Sequence, residues 1–146
     1  MSNKIIDGKL ISSEIREKVK KFGDQLKSKT GKVPGLAVVL VGENPASRVY
    51  VKNKIEKTIE VGFNSIEHKL SEKVSENELI DLVDKLNNDE NVQGILVQLP
   101  LPEHVNSDKI LDRIKPEKDV DGFHANNVGK LWSGLNSLVP CTPLGC

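Results

Sequence analysis

Aromatic side chains are scarce in this sequence: three Phe, one Tyr and one Trp in 146 residues. That leaves no platform on which bases could stack. With 21 Lys plus Arg against 21 Asp plus Glu the net charge is 0, so no basic stripe follows a phosphate backbone either. Nucleic acid is not an expected partner. Cysteine is limited to Cys141 and Cys146, too few and too close together for a disulfide framework, and no paired histidines complete a zinc set. Both read as free thiols in a reducing compartment. No window approaches the roughly 18 consecutive apolar residues of a spanning helix, and the opening Met-Ser-Asn-Lys has no apolar leader core. The chain reads as cytoplasmic, with no membrane partner. Neither G-x-G-x-x-G nor G-x-x-x-x-G-K-[ST] occurs, so nothing is built to cradle a phosphate chain, and no internal repeat or low-complexity tract is present.

What is present is one domain's length of alternating patterns, enough to bury roughly two thirds of the unfolded surface. Leu10, Ile11, Ile15, Val19, Phe22 and Leu26 recur at helical spacing, which predicts an amphipathic helix over 8–28. Leu36–Val41 is a continuous apolar run of strand length, the kind found where both faces of a parallel sheet are covered. Asn44 then Pro45 predicts a capped helix to about Val61 with a buried stripe of Val51, Ile55 and Ile59. Residues 63–70 alternate, with Ile66, His68 and Leu70 on one side, as an edge strand does. Ser75 and Glu78 spell a capping box, opening a helix with Leu79, Leu82, Val83 and Leu86 on one face. Val92–Leu99 supplies a third, central strand, and a short helix follows near 107–114; beyond Lys115-Pro116 the chain reads as loop. The expected fold is α/β, a three-layer αβα sandwich with a mainly parallel sheet and helices on both faces. Such sheets hold ligands at the carboxyl ends of their strands.

Three groups of polar residues fall at such positions. Ser47, Tyr50 and Lys54 follow i, i+3, i+7 and so line one helix face. Positions 50 and 54 lie about 100° round from the apolar stripe, at the border where a lysine is more often a snorkelling solvent charge than a reactive group. Gln98 interrupts an apolar strand end, where an amide needs partners, although loop backbone alone could supply them. Asp119 and Asp121 flank Val120 before Gly122, which suits a turn whose aspartates cap backbone amides, with a ligand-facing acid as the other reading. His68 and His104 read as surface residues, His124 as structural, and Cys141 as a small buried residue rather than a nucleophile.

Five segments carry a resemblance: Tyr50-x-x-x-Lys54, Gly94-x-x-Val-Gln98-Leu-Pro-Leu-Pro102, Pro116-x-Lys-Asp-Val-Asp121-Gly122-Phe, Asn127-x-Gly129-x-Leu131 and Pro140-Cys-Thr-Pro-x-Gly145. In this order they resemble the N-terminal, folate-binding part of the bifunctional methylenetetrahydrofolate dehydrogenase/methenyltetrahydrofolate cyclohydrolase family. The resemblance implies that residues 1–146 form the catalytic, folate-binding domain and that a C-terminal NADP-binding Rossmann domain is missing. It implies Lys54 as the catalytic lysine, Tyr50 as the residue stacking on the folate, Gln98 as the hydrogen-bond partner of the lysine and Asp121 as the acid holding the pterin-like ring. Ser47, Val97, Leu99 and Pro100 are implied as further substrate contacts, and Thr142 as a contact to NADP. The implied parent oxidises 5,10-methylenetetrahydrofolate with NADP and hydrolyses the methenyl product to 10-formyltetrahydrofolate for purine and initiator-tRNA synthesis, as a homodimer. The chain by itself is expected to be weakly active or inactive. A rival reading is a non-catalytic folate-binding or scaffold domain in which Lys54 is only a solvated charge.

Overall fold

The computed structural model describes residues 6–146, which fold as α1 (Gly8–Thr30), β1 (Gly35–Val41), α2 (Pro45–Glu60), β2 (Asn64–Leu70), α3 (Glu76–Asn88), β3 (Gly94–Val97), α4 (Ser107–Arg113), α5 (Ala125–Trp132) and α6 (Cys141–Gly145). The apolar run of β1 forms the middle of a parallel sheet ordered β2-β1-β3. Its register pairs Ala37 with Ile66 on one side and with Ile95 on the other. Being flanked on both edges and covered on both faces is why β1 needs no polar alternation.

One face of the sheet carries Ala37, Val39, Val41, Ile95 and Val97, packed with Leu79, Val83 and Leu86 of α3 and Ile110 of α4. The capping box of α3 forms as expected, Glu78 N–H donating to Ser75 Oγ and Ser75 N–H to the Glu78 carboxylate. Arg113 grips Asp84 through two hydrogen bonds of 2.6 and 2.7 Å, tying α4 to α3, and the guanidinium holds that carboxyl below its ordinary range. The opposite face carries Val38, Leu40 and Leu96 against Val51 and Ile55 of α2. The three-layer αβα reading therefore holds.

Several expectations need correcting. The third strand stops at Val97, four residues long, and is an edge rather than the centre; among the described residues one further parallel bridge, Ile95 to Asp119, extends the sheet beyond it. On α2 the buried stripe includes Ser47, Val51 and Thr58, while Ile59 faces solvent. Thr58 can be buried because its hydroxyl donates to the Lys54 carbonyl at 2.7 Å, leaving no unpaired polar atom. The apolar stripe of α1 also points away from the sheet: Leu10, Ile11, Ile15, Phe22 and Leu26 are exposed, and Ser13, Arg16, Val19 and Gly23 are the partly buried positions. The stretch read as loop contains α5 and α6, and Cys141 is exposed in α6. His68 is half-buried, with Nε2 enclosed and lacking a partner, instead of lying on the surface. No helix among the described residues is long and apolar enough to cross a membrane.

Candidate active site

Strand alternation decides which side of the sheet each residue at the end of β3 serves. Val97 sits in the α3-facing core, so Gln98, one residue on, is turned toward α2. Its backbone continues the ladder for one more step, Gln98 N–H donating to the Val39 carbonyl at 2.9 Å. Its amide nitrogen donates to the Leu99 carbonyl at 2.7 Å, which fixes the flip and leaves Oε1 as an acceptor. Lys54 Nζ donates to that oxygen at 3.2 Å. The lysine is half-buried, and a neutral acceptor orients its ammonium without neutralising it.

Asp121 joins this pair from a different element. It is half-buried; burial pushes its carboxyl above the ordinary range, the Lys54 ammonium pulls it partly back, and the carboxylate of Asp119 pushes it further up. The turn cap is Asp119, which accepts from Gly122 N–H at 3.1 Å and His124 N–H at 2.9 Å. Of the two roles that the sequence left open for both aspartates, Asp119 takes the turn cap. His124 is structural as expected: its Nδ1 accepts from Asn126 N–H and caps α5.

The turn lies close against β3 because Gly94 has no side chain. A Cβ there would stand 2.5 Å from Val120 Cγ1. Gly122 adopts φ +70°, and a Cβ on it would meet the Leu138 carbonyl oxygen at 2.6 Å, so both conformation and space require glycine. Asn44 caps α2 by accepting from Ser47 N–H, which starts the helix at the carboxyl end of β1 and sets the height of every later side chain on it.

The remaining expected contacts differ in their placement. Ser47 is buried in the first turn of α2, one turn before Tyr50, a residue 62% exposed. Leu99 is half-buried and Pro100 exposed, forming the lip beyond Gln98. The Val97 side chain belongs to the opposite core, so only its backbone could face a ligand. Thr142 lies exposed in the five-residue α6 and shares no hydrogen bond with Lys54, Gln98 or Asp121. No glycine-rich loop opens a helix after any strand, so the described residues do not form a dinucleotide cradle. Among them, no group of three His, Cys, Asp or Glu is placed to hold a metal. A cavity of 640 Å³ between α2 and β2, lined by Leu40, Val49, Lys52, Ile55 and Glu67, does not include Lys54, Gln98 or Asp121.

The profile of the family described as tetrahydrofolate dehydrogenase/cyclohydrolase, catalytic domain, matches residues 6–121. The bifunctional protein FolD 2 of Roseobacter denitrificans is 56% identical over 146 residues, covering 100% of this chain and 49% of that protein. The crystal structure of the bifunctional enzyme FolD, a methylenetetrahydrofolate dehydrogenase/cyclohydrolase, from Campylobacter jejuni superposes with a TM-score of 0.91 at 52% identity, over 95% of this chain and 49% of that one. A methylenetetrahydrofolate dehydrogenase-cyclohydrolase from Trypanosoma brucei, solved with NADP and an inhibitor, gives 0.90 at 34% identity, over 94% of this chain and 48% of that one. The chain spans about half the length of the curated relatives it matches.

Proposed function

Because the chain belongs to the tetrahydrofolate dehydrogenase/cyclohydrolase family, we propose that its Lys54, Gln98 and Asp121 form the folate site of a bifunctional enzyme, one that oxidises 5,10-methylenetetrahydrofolate with NADP and hydrolyses the methenyl product. The observation that carries this reading is the half-buried Lys54 ammonium, held by a neutral amide 3.2 Å away and in the field of a half-buried carboxylate from a separate turn.

The hydrolytic half follows from these side chains. The methenyl carbon bears a delocalised cation and is open to attack by water, and Lys54 is the group placed to carry a proton between that water and the ring nitrogen. The free amine takes a proton from water as the oxygen bonds to the methenyl carbon. The resulting ammonium returns a proton to the ring nitrogen as the carbon–nitrogen bond breaks and the formyl C=O forms, with one net proton released to solvent. Gln98 keeps Nζ at one place through both transfers. Asp121, with two acceptor oxygens, suits an amino group paired with a ring N–H. Tyr50 offers a ring face to the flat heterocycle, with Leu99 and Pro100 at the opposite lip and Ser47 beneath.

The oxidative half needs a hydride acceptor, and the residues described do not fit one. In this proposal NADP is held by the further half of the polypeptide that the relatives possess, with Thr142 at its margin; the support is the NADP-bound Trypanosoma brucei relative. The 1–146 segment is then the folate-binding catalytic domain, of little activity alone. The setting that accompanies this reading, a cytoplasmic homodimer supplying formyl groups to purine and initiator-tRNA synthesis, rests on the resemblance.

The test is Lys54→Gln in the full-length protein. Folate binding is expected to persist while cyclohydrolase turnover falls about 10²–10⁴-fold, the usual range for a lost acid–base group. Unchanged turnover would return Lys54 to a solvated charge and favour a binding or scaffold domain.

A further inference from the structure

We infer that Asp119 is a positioning residue of the folate site: its buried carboxylate, held by N–H donors alone, clamps the turn that presents Asp121 to Lys54. The inference rests on the folate-site reading above. Asp119 is 2% exposed, and no salt bridge reaches it among the described residues. A charge in that position is costly unless dipoles replace its hydration. Three do so, from three places in the chain: Gly122 N–H on Oδ1 at 3.1 Å, and His124 N–H and Asn127 Nδ2 on Oδ2, both at 2.9 Å. Asn127, itself buried, spends its other amide proton on the Pro116 carbonyl at 2.8 Å, so the segments before and after the turn close on one carboxylate.

The same residue is bonded to the sheet. Its backbone bridges Ile95, whose N–H donates to the Lys118 carbonyl at 2.7 Å. Lys118 Nζ in turn donates to the carbonyls of Leu86 and Asp89 at the end of α3, at 3.0 and 2.9 Å. Asp119 therefore stands where the turn is fastened to β3, two residues before Asp121 and beside the strand that leads into Gln98. A carboxylate offers acceptors on both oxygens with no proton to place among the donors; an asparagine must set an N–H₂ against at least one of them. The clamp thus needs charge as well as shape, and that charge also bears on Asp121.

The experiment is Asp119→Asn in the full-length protein, assayed for hydrolysis of methenyltetrahydrofolate. KM is expected to rise about tenfold or more, as for loss of a charge-assisted contact, with kcat at saturation within about threefold of the parent. The acid limb of the kcat/KM profile should also move to lower pH, because one carboxylate no longer opposes ionisation of the other; a purely structural defect would lower the active fraction and leave the limb in place. Parental KM and an unmoved limb in folded protein would overturn the inference. Should Asp119→Asn not fold, Asn127→Ala removes one donor from the same clamp: a KM rise at retained kcat supports the inference, and parental KM overturns it. Asp121→Asn run alongside separates the failures. No KM effect from that variant overturns the folate-site reading itself, whereas an effect there with none from Asp119→Asn overturns only the clamp.

Discussion

Asp121 shows what a single side chain at this site costs the fold. Burial raises its carboxyl above the ordinary range, with the Lys54 ammonium opposing and the Asp119 carboxylate adding to the rise. A carboxyl bound more tightly to its proton when folded than when unfolded makes folding take up protons between the ordinary aspartate value, about 3.9, and the raised one. Stability then falls as pH rises through that window and stays lower above it. Asp121→Asn keeps the shape and removes the charge. It is expected to have a higher Tm than the parent at pH 7, with the difference shrinking as pH is lowered toward the ordinary aspartate range. A lower Tm at pH 7 would mean that attraction to Lys54 outweighs burial, reversing the order of the two causes. The gain in stability should accompany weaker folate binding, as expected where a site holds a group the fold disfavours.

At the scale of elements, the turn at 118–122 is positioned by contact with β3, and that contact can be tested by displacement and relief. A Cβ on Gly94 would fall 2.5 Å from Val120 Cγ1, tighter than any side-chain contact tolerates. Gly94→Ala should therefore lift the turn from the strand and raise the KM for folate. Gly94→Ala combined with Val120→Ala, which removes the clashing methyl, should restore it. Failure of the second change to restore binding would show that the turn is held elsewhere. Local chemistry of this kind explains what was legible in the sequence. The Asn44-Pro45 start of α2, the Ser75/Glu78 box and the apolar run of β1 each announce themselves in a few neighbouring residues. Two short helices did not: α5 is capped by a histidine, an uncommon cap, and α6 has five residues and no side-chain cap at all. Lys54 and Gln98 were legible as candidates because helical spacing and strand alternation are local rules. Asp119 and Asp121 were not separable, because which carboxylate turns inward depends on His124 and Asn127, several residues further along the chain.

Across the whole molecule, periodicity gave a face to each helix but not the partner of that face. For α3 the partner is the sheet, and Leu79 is fully enclosed. For α1, the stripe containing Phe22 lies outside the described packing, with that residue 71% exposed. Arg16 of α1 instead reaches Glu60 of α2 at 2.8 Å, an ion pair open enough to solvent to add little. The stability of this chain should therefore be lodged on the α3/α4 side of the sheet. Leu79→Ala is expected to lower unfolding free energy by about 2–5 kcal/mol, the range for emptying a close-packed leucine site. Phe22→Ala, despite deleting a larger side chain, should cost under about 0.5 kcal/mol, as for a surface change. Urea unfolding of the 146-residue chain separates them, with midpoints compared at constant slope so that compactness is unchanged. A Phe22→Ala cost that approaches that of Leu79→Ala, and grows with protein concentration, would mean that the α1 stripe is covered in solution by another copy of the chain.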